Sequence, residues 1–105
     1  MNILTPGHRY ELADFEPAQA APQQIQFIEK VPVIDGEPGE LITYKNGTTN
    51  EEVLRVLIDR MNYLNAKFPC RENAITITHL DTALLWMEKR TNDRKARSVE
   101  GKALA

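Results

Sequence analysis

The side chains of this sequence that could do chemistry are suited to gripping a ligand, not to breaking bonds. Arg90 and Arg94 stand four residues apart in the run Lys89-Arg90-Thr91-Asn92-Asp93-Arg94-Lys95-Ala96-Arg97. On a helix that spacing puts both on one face. Two guanidinium forks so placed can hold a phosphate at two points. The same run also reads as a solvated helix end whose cations complement the macrodipole. Asn73 offers two amide donors and an acceptor, the set needed to read a base edge or a ribose. Near a helix start the same amide can instead satisfy local backbone groups. Tyr63 presents an aromatic face on which a base can stack, or which can pack at an interface.

Catalytic constellations are missing from this inventory. There is no phosphate loop, no convincing carboxylate pair, and no Ser/His/Asp or Cys/His arrangement with a family signature. Cys70 follows Pro69 and precedes Arg71. As a nucleophile it would need a lowered pKa, and a structural or incidental thiol is the simpler expectation. His79, inside a helical pattern, reads as a hydrogen-bonded structural residue. Cys70, His8 and His79 are too scattered to form a metal site. An enzyme is therefore the least expected class, and no cofactor is called for.

The frame that must position these residues is small. With 105 residues the chain is expected to form one domain. Its 42% hydrophobic and 27% charged residues are ordinary for a globular protein. So short a chain buries a modest core, which makes oligomerisation a ready way to bury more. One cysteine excludes an intrachain disulfide framework. No apolar run approaches the roughly 20 residues of a membrane span, and the N-terminus lacks the basic and apolar regions of a signal peptide. A reducing cytosol is the default expectation.

Charge is unevenly spread. Residues 1–52 carry net −6 and residues 53–105 net +4, within a total of −2. Such asymmetry suits an anion partner for the C-terminal half, or mutual neutralisation of the two halves in the fold. The small net negative charge argues against a duplex nucleic acid, which asks for a wider basic face.

Residues 1–22 read as irregular, with a turn at Pro6-Gly7 and an Ala/Pro-rich connector from Pro17 to Pro22. Alternation over 24–31 predicts a strand, and Leu41-Ile42-Thr43-Tyr44 a second, joined by the turn formers Asp35–Gly39. Together they suggest a β-hairpin. Thr49-Asn50-Glu51-Glu52 has capping-box spacing, so a helix should run from there to about Ala66. Its seam is Leu54, Leu57, Met61 and Leu64. Pro69 breaks it. A second helix is expected from about Arg71 to about Ser98, with Gly101 just beyond. Its seam is Ile77, Leu80, Leu84 and Met87. Ile75, Ala83, Leu85 and Trp86 fall on flanking faces, more apolar surface than one partner helix covers. The fold class is α+β: an N-terminal β-hairpin region (1–48) packed on an antiparallel two-helix hairpin (49–101), in an oligomer.

Helix length adds a constraint. Asn73 and Arg90 are 17 residues apart, about 25 Å along one straight helix. One small ligand reaches both only if the site forms between subunits with antiparallel second helices.

The run Cys70-Arg71-Glu72-Asn73-Ala74-Ile75-Thr76-Ile77-Thr78-His79-Leu80-Asp81-Thr82-Ala83-Leu84-Leu85-Trp86, continued by Lys89-Arg90-Thr91-Asn92-Asp93-Arg94 and Val99-Glu100-Gly101, resembles a known pattern. It is that of the helical-hairpin family of phage immune-signal sponges, the Thoeris anti-defence 1 and anti-CBASS protein 2 type. The resemblance spans residues 49–101, and the β-hairpin is closer to the Thoeris arrangement. His79 and Asp81 stand where Lys and Glu are more usual, and the N-terminal segment aligns with no motif.

The resemblance implies binding without turnover. Such proteins sequester cyclic ADP-ribose isomers, cyclic dinucleotides or cyclic trinucleotides in the cytoplasm of the infected host. They form homohexamers with sites between protomers. By position, Asn73, Arg90 and Arg94 match ligand contacts, Tyr63 matches a base-stacking aromatic, and Arg71 is a weaker candidate for a second anion site. No polymeric nucleic acid and no membrane is implied. A protein-interaction or structural phage module, using the second apolar stripe as partner surface, is the rival reading.

Overall fold

A computed structural model describes residues 1–17 and 20–97. The chain divides into two compact units, one spanning residues 1–49 and the other beginning at Asn50. The class is α+β, with antiparallel strands in the first unit and two packed helices in the second.

The first unit holds two small sheets. Strands β1 (Asn2–Thr5), β2 (Arg9–Glu11) and β3 (Gln24–Gln26) form an antiparallel sheet in that order. Ile3 pairs with Tyr10 and Tyr10 with Ile25. The Tyr10 ring meets Phe27 edge-on, with centroids 6.0 Å apart. Strands β4 (Glu29–Pro32) and β5 (Leu41–Lys45) form a separate antiparallel hairpin.

Two expectations need correction here. Residues 1–22 are not irregular: β1 and β2 form a hairpin around Pro6-Gly7. Pro6 and Gly7 occupy the central positions of a turn closed by His8 N–H donating to Thr5 C=O at 3.0 Å. Gly7 has φ +77°, which the third position of a type II turn demands. The run 24–31 is likewise not one strand. Gln26 pairs with Arg9 and the Phe27 N–H still donates to His8 C=O, but the Ile28 N–H donates to Thr48 C=O. The chain changes partner there and enters the second sheet.

Gly47 makes that exchange possible. Thr48 bridges Phe27 in parallel. The approach is so close that a Cβ on Gly47 would overlap the Gln26 carbonyl and lie 2.7 Å from the Phe27 carbonyl carbon.

The second unit is a helical hairpin of α1 (Asn50–Lys67) and α2 (Arg71–Ala96). Its antiparallel register is fixed at both ends. Near the free ends, Arg55 pairs with Glu88 at 3.3 Å and the Thr91 hydroxyl donates to Glu51 at 3.4 Å. At the connection, the Asn65 side-chain Oδ1 accepts from Cys70 N–H at 3.2 Å. Cys70 is the N-cap of α2, its sulfur accepting from Asn73 N–H. That is the structural use expected of this thiol.

The α2 seam is as read: Ile77, Leu80, Leu84 and Met87 are half-buried, while Ile75, Ala83, Leu85 and Trp86 are exposed. In α1 the seam is Leu54, Ile58, Met61 and Leu64, with Ile58 in the place expected of Leu57, which is exposed. Position 58 lies one turn from Leu54, on the same side of the helix. His79 is exposed on α2 and not packed as a structural histidine. The expected end of α2 at Ser98, together with Val99-Glu100-Gly101 and part of the 17–22 connector, lies outside the described residues.

Among the described residues no apolar side chain is fully buried, and the one residue that is buried is Arg94. No helix among them is long and apolar enough to cross a membrane.

Candidate functional site

The candidate residues separate into two groups at opposite ends of the helical hairpin. Arg90 and Arg94 belong to the last turns of α2, which lie beside the first turns of α1. Tyr63, Arg71 and Asn73 belong to the connected end. The antiparallel register keeps the groups apart within one chain.

The basic end is a built feature. Trp86, Lys89, Arg90, Asp93, Arg94 and Arg97 line one shallow cavity of about 230 Å³. They follow one stripe of α2, since steps of three and four residues return to the same face. Four cations face one carboxylate, and that carboxylate is engaged: Lys89 Nζ donates to Asp93 at 2.8 Å. The balance suits an anion. Arg94 is only 8% exposed, so its guanidinium is held in place, whereas Arg90 is exposed on the cavity rim. A buried Arg is costly without partners. Arg94 and Arg97 both engage other groups of the chain.

The connected end has a different character. Tyr63 is 56% exposed, and Lys67 Nζ sits 4.8 Å from its ring centroid. That geometry is a cation–π contact, and it sets a positive charge over one face of the ring. Asn73 is half-buried, and its Nδ2 donates to Phe68 C=O at 3.3 Å. Its amide therefore braces the interhelical turn, with its oxygen still able to accept. Arg71 opens α2 and is exposed.

Four residues of the basic cavity lie outside the sequence-based candidate set: Trp86, Lys89, Asp93 and Arg97. The signal was present. Trp86, Arg90 and Arg94 are spaced i, i+4, i+8, a single helical stripe. Hydrophobic periodicity groups Trp86 with the flanking apolar residues, because it reports hydropathy and not which side chains share a cavity. Among the described residues no cluster of His, Cys, Asp or Glu is arranged to hold a metal.

Two comparisons bear on this geometry. Residues 30–92 match the family model for the Acb2/Tad1 hairpin domain. A stretch of 57 residues is 49% identical to Thoeris anti-defense 1 of Bacillus phage SBSphiJ7, covering 53% of this chain. The matched stretch spans only 40% of that relative's length. The family match reaches from strand β4 through the end of α2 that carries Arg90, and so takes in both ends of the helical hairpin. This chain belongs to the Acb2/Tad1 hairpin family.

Proposed function

We propose that this protein is a phage anti-defence protein that captures cyclic nucleotide immune signals without cleaving them. Cyclic ADP-ribose isomers and cyclic di- or trinucleotides are the ligand class, and the infected host cell is the place of action. The observation that carries this reading is the cavity at the end of α2, where Arg90 and Arg94 stand with an indole in a chain of this family. Guanidinium groups hold phosphates, Tyr63 stacks on a base, Asn73 hydrogen-bonds base or ribose, and Arg71 serves a second anion. Tight binding is sufficient, because a captured signal cannot reach its effector.

The site forms between protomers of a homohexamer. Two observations favour assembly. The candidate groups lie at opposite ends of one hairpin, so one small ligand meets both only where two chains adjoin. The chain alone also leaves Leu85, Ile75 and Val56 at least 40% exposed on its helices, an apolar area that association would bury.

The test is a thermal-shift screen of the purified protein against cyclic di- and trinucleotides and cyclic ADP-ribose isomers, with AMP and NAD as controls. A ligand that binds only the folded state, at 100-fold excess over its Kd, adds about 2.7 kcal/mol. A selective rise in Tm is the expected outcome. No shift in a folded sample would instead favour a protein-interaction module that uses the exposed Trp86 and Ile75.

A further inference from the structure

We propose that Trp86 is a nucleobase-stacking surface of the arginine-lined cavity, so that one face of α2 holds both the base and the phosphate of a single nucleotide unit. This rests on the nucleotide-binding reading above and adds a residue and a division of labour to it.

Three features lead there. Trp86 lines the same cavity as Arg90 and Arg94, although its flanking position in the helical pattern sets it among interface residues. Trp86 is 66% exposed, a large aromatic residue open to solvent beside the three arginines of the cavity. Stacking on a base would cover that face whatever the base identity, since every base has a π-face. Spacing supplies the third feature. Trp86 precedes Arg90 by four residues, a rise of about 6 Å, which is comparable to the reach from a nucleobase to its own phosphate.

Tyr63 cannot fill this role for the same nucleotide within one chain, because it lies at the other end of the hairpin. The cavity is also small. About 230 Å³ falls below the roughly 300–1,000 Å³ of pockets that enclose a drug-sized ligand. One chain's cavity therefore holds one nucleotide unit, and a second unit of a cyclic ligand is left for Tyr63 and Asn73 of a neighbouring chain.

Trp86 is the only tryptophan in the sequence, so its fluorescence reports on this site alone. The experiment titrates the assembled 105-residue chain with 3′,3′-cyclic GMP–AMP and with a cyclic ADP-ribose isomer. Trp86 emission and calorimetric heat are followed in parallel, with inorganic pyrophosphate as a base-free probe. The expected result is saturable quenching that tracks the heat for the cyclic nucleotides, and no quenching by pyrophosphate. Trp86→Phe should bind within about threefold of wild type, and Trp86→Ala about 10- to 100-fold more weakly. Should Trp86→Ala fail to assemble, the wild-type titration and Trp86→Phe still decide. Heat of binding without any change in Trp86 emission overturns the stacking assignment and leaves the nucleotide-binding reading intact. Absence of heat with every cyclic nucleotide, in a folded and assembled sample, removes that reading and this assignment with it.

Discussion

Arg55 of α1 reaches Glu88 of α2 across 33 positions of sequence, with Nη2 at 3.3 Å from Oε1, while its Nη1 contacts Glu52 at the same distance. The pair sets the first turns of α1 beside the arginine-bearing end of α2. It is a register device more than a source of stability, since both side chains are two-fifths to one-half exposed and solvent screens them. Arg55→Ala should therefore cost less than about 1 kcal/mol. Urea melts at low and high salt check this, and the cost should shrink as salt rises.

Removing both arginines tests the phosphate grip. Charge-assisted hydrogen bonds are each worth about 1.5–3 kcal/mol, so the double variant Arg90→Ala/Arg94→Ala should lose at least 100-fold in affinity for a cyclic dinucleotide. Calorimetry on a sample shown to be folded and assembled gives the answer. Unchanged affinity would reject these residues as the phosphate clamp. Arg94, being buried and engaged, should also lower Tm when removed, whereas Arg90→Ala alone should leave Tm nearly unchanged.

The shared site predicts complementation between chains. A Tyr63→Ala chain and an Arg90→Ala/Arg94→Ala chain should each bind poorly as pure assemblies. Refolded together, they should recover part of the binding, because some interfaces then pair an intact Tyr63 with intact arginines. Mixed assemblies that bind no better than the two parents would argue for a site contained within one chain.

Two glycines of the first unit separate backbone strain from steric overlap. A Cβ at Gly7 would meet no heavy atom within 4 Å, so Gly7→Ala pays only for the positive φ, about 1–2 kcal/mol. Gly47→Ala drives a methyl group into the Gln26 and Phe27 backbone and should cost more. Hydrogen exchange at Ile28 and Thr48 reads the second effect directly, since their N–H groups donate across that contact. Equal protection loss in both variants would contradict the assignment.

Cys70 offers a test of thiol chemistry. Its sulfur accepts from the Asn73 N–H at 3.4 Å, and a serine hydroxyl caps a helix at least as well. Cys70→Ser should keep Tm and ligand affinity. Loss of affinity with an unchanged Tm would point to a direct role for the thiol.

Much of the second unit was legible in the sequence, for local reasons. Pro69 can end a helix without any help from the fold, and the 3-4-3 spacing from Ile77 to Met87 marks one face of α2 by geometry alone. Arg90 and Arg94 share a face for the same reason. The first unit was less legible because pairing between distant segments decides it. Asn2–Thr5 and Arg9–Glu11 are too short to declare themselves as strands, and they become strands only by pairing around Pro6-Gly7 and against Gln24–Gln26. Phe27 and Ile28 carry no sign that the chain changes sheets between them. That follows from Gly47 admitting Thr48 to the backbone of Gln26.

The two helices, the break between them and the basic stripe can be read from the residues alone, because helical periodicity and proline stereochemistry act within a few residues. The packing of α1 against α2 set which candidate residues lie at the same end of the hairpin. Trp86 shares a stripe with the arginines by local spacing, and the continuous run of α2 past residue 86 turns that stripe into the lining of one cavity. Tyr63 is held away from them because antiparallel packing lays the end of α1 beside the start of α2, whereas the length of α2 itself separates Asn73 from the arginines.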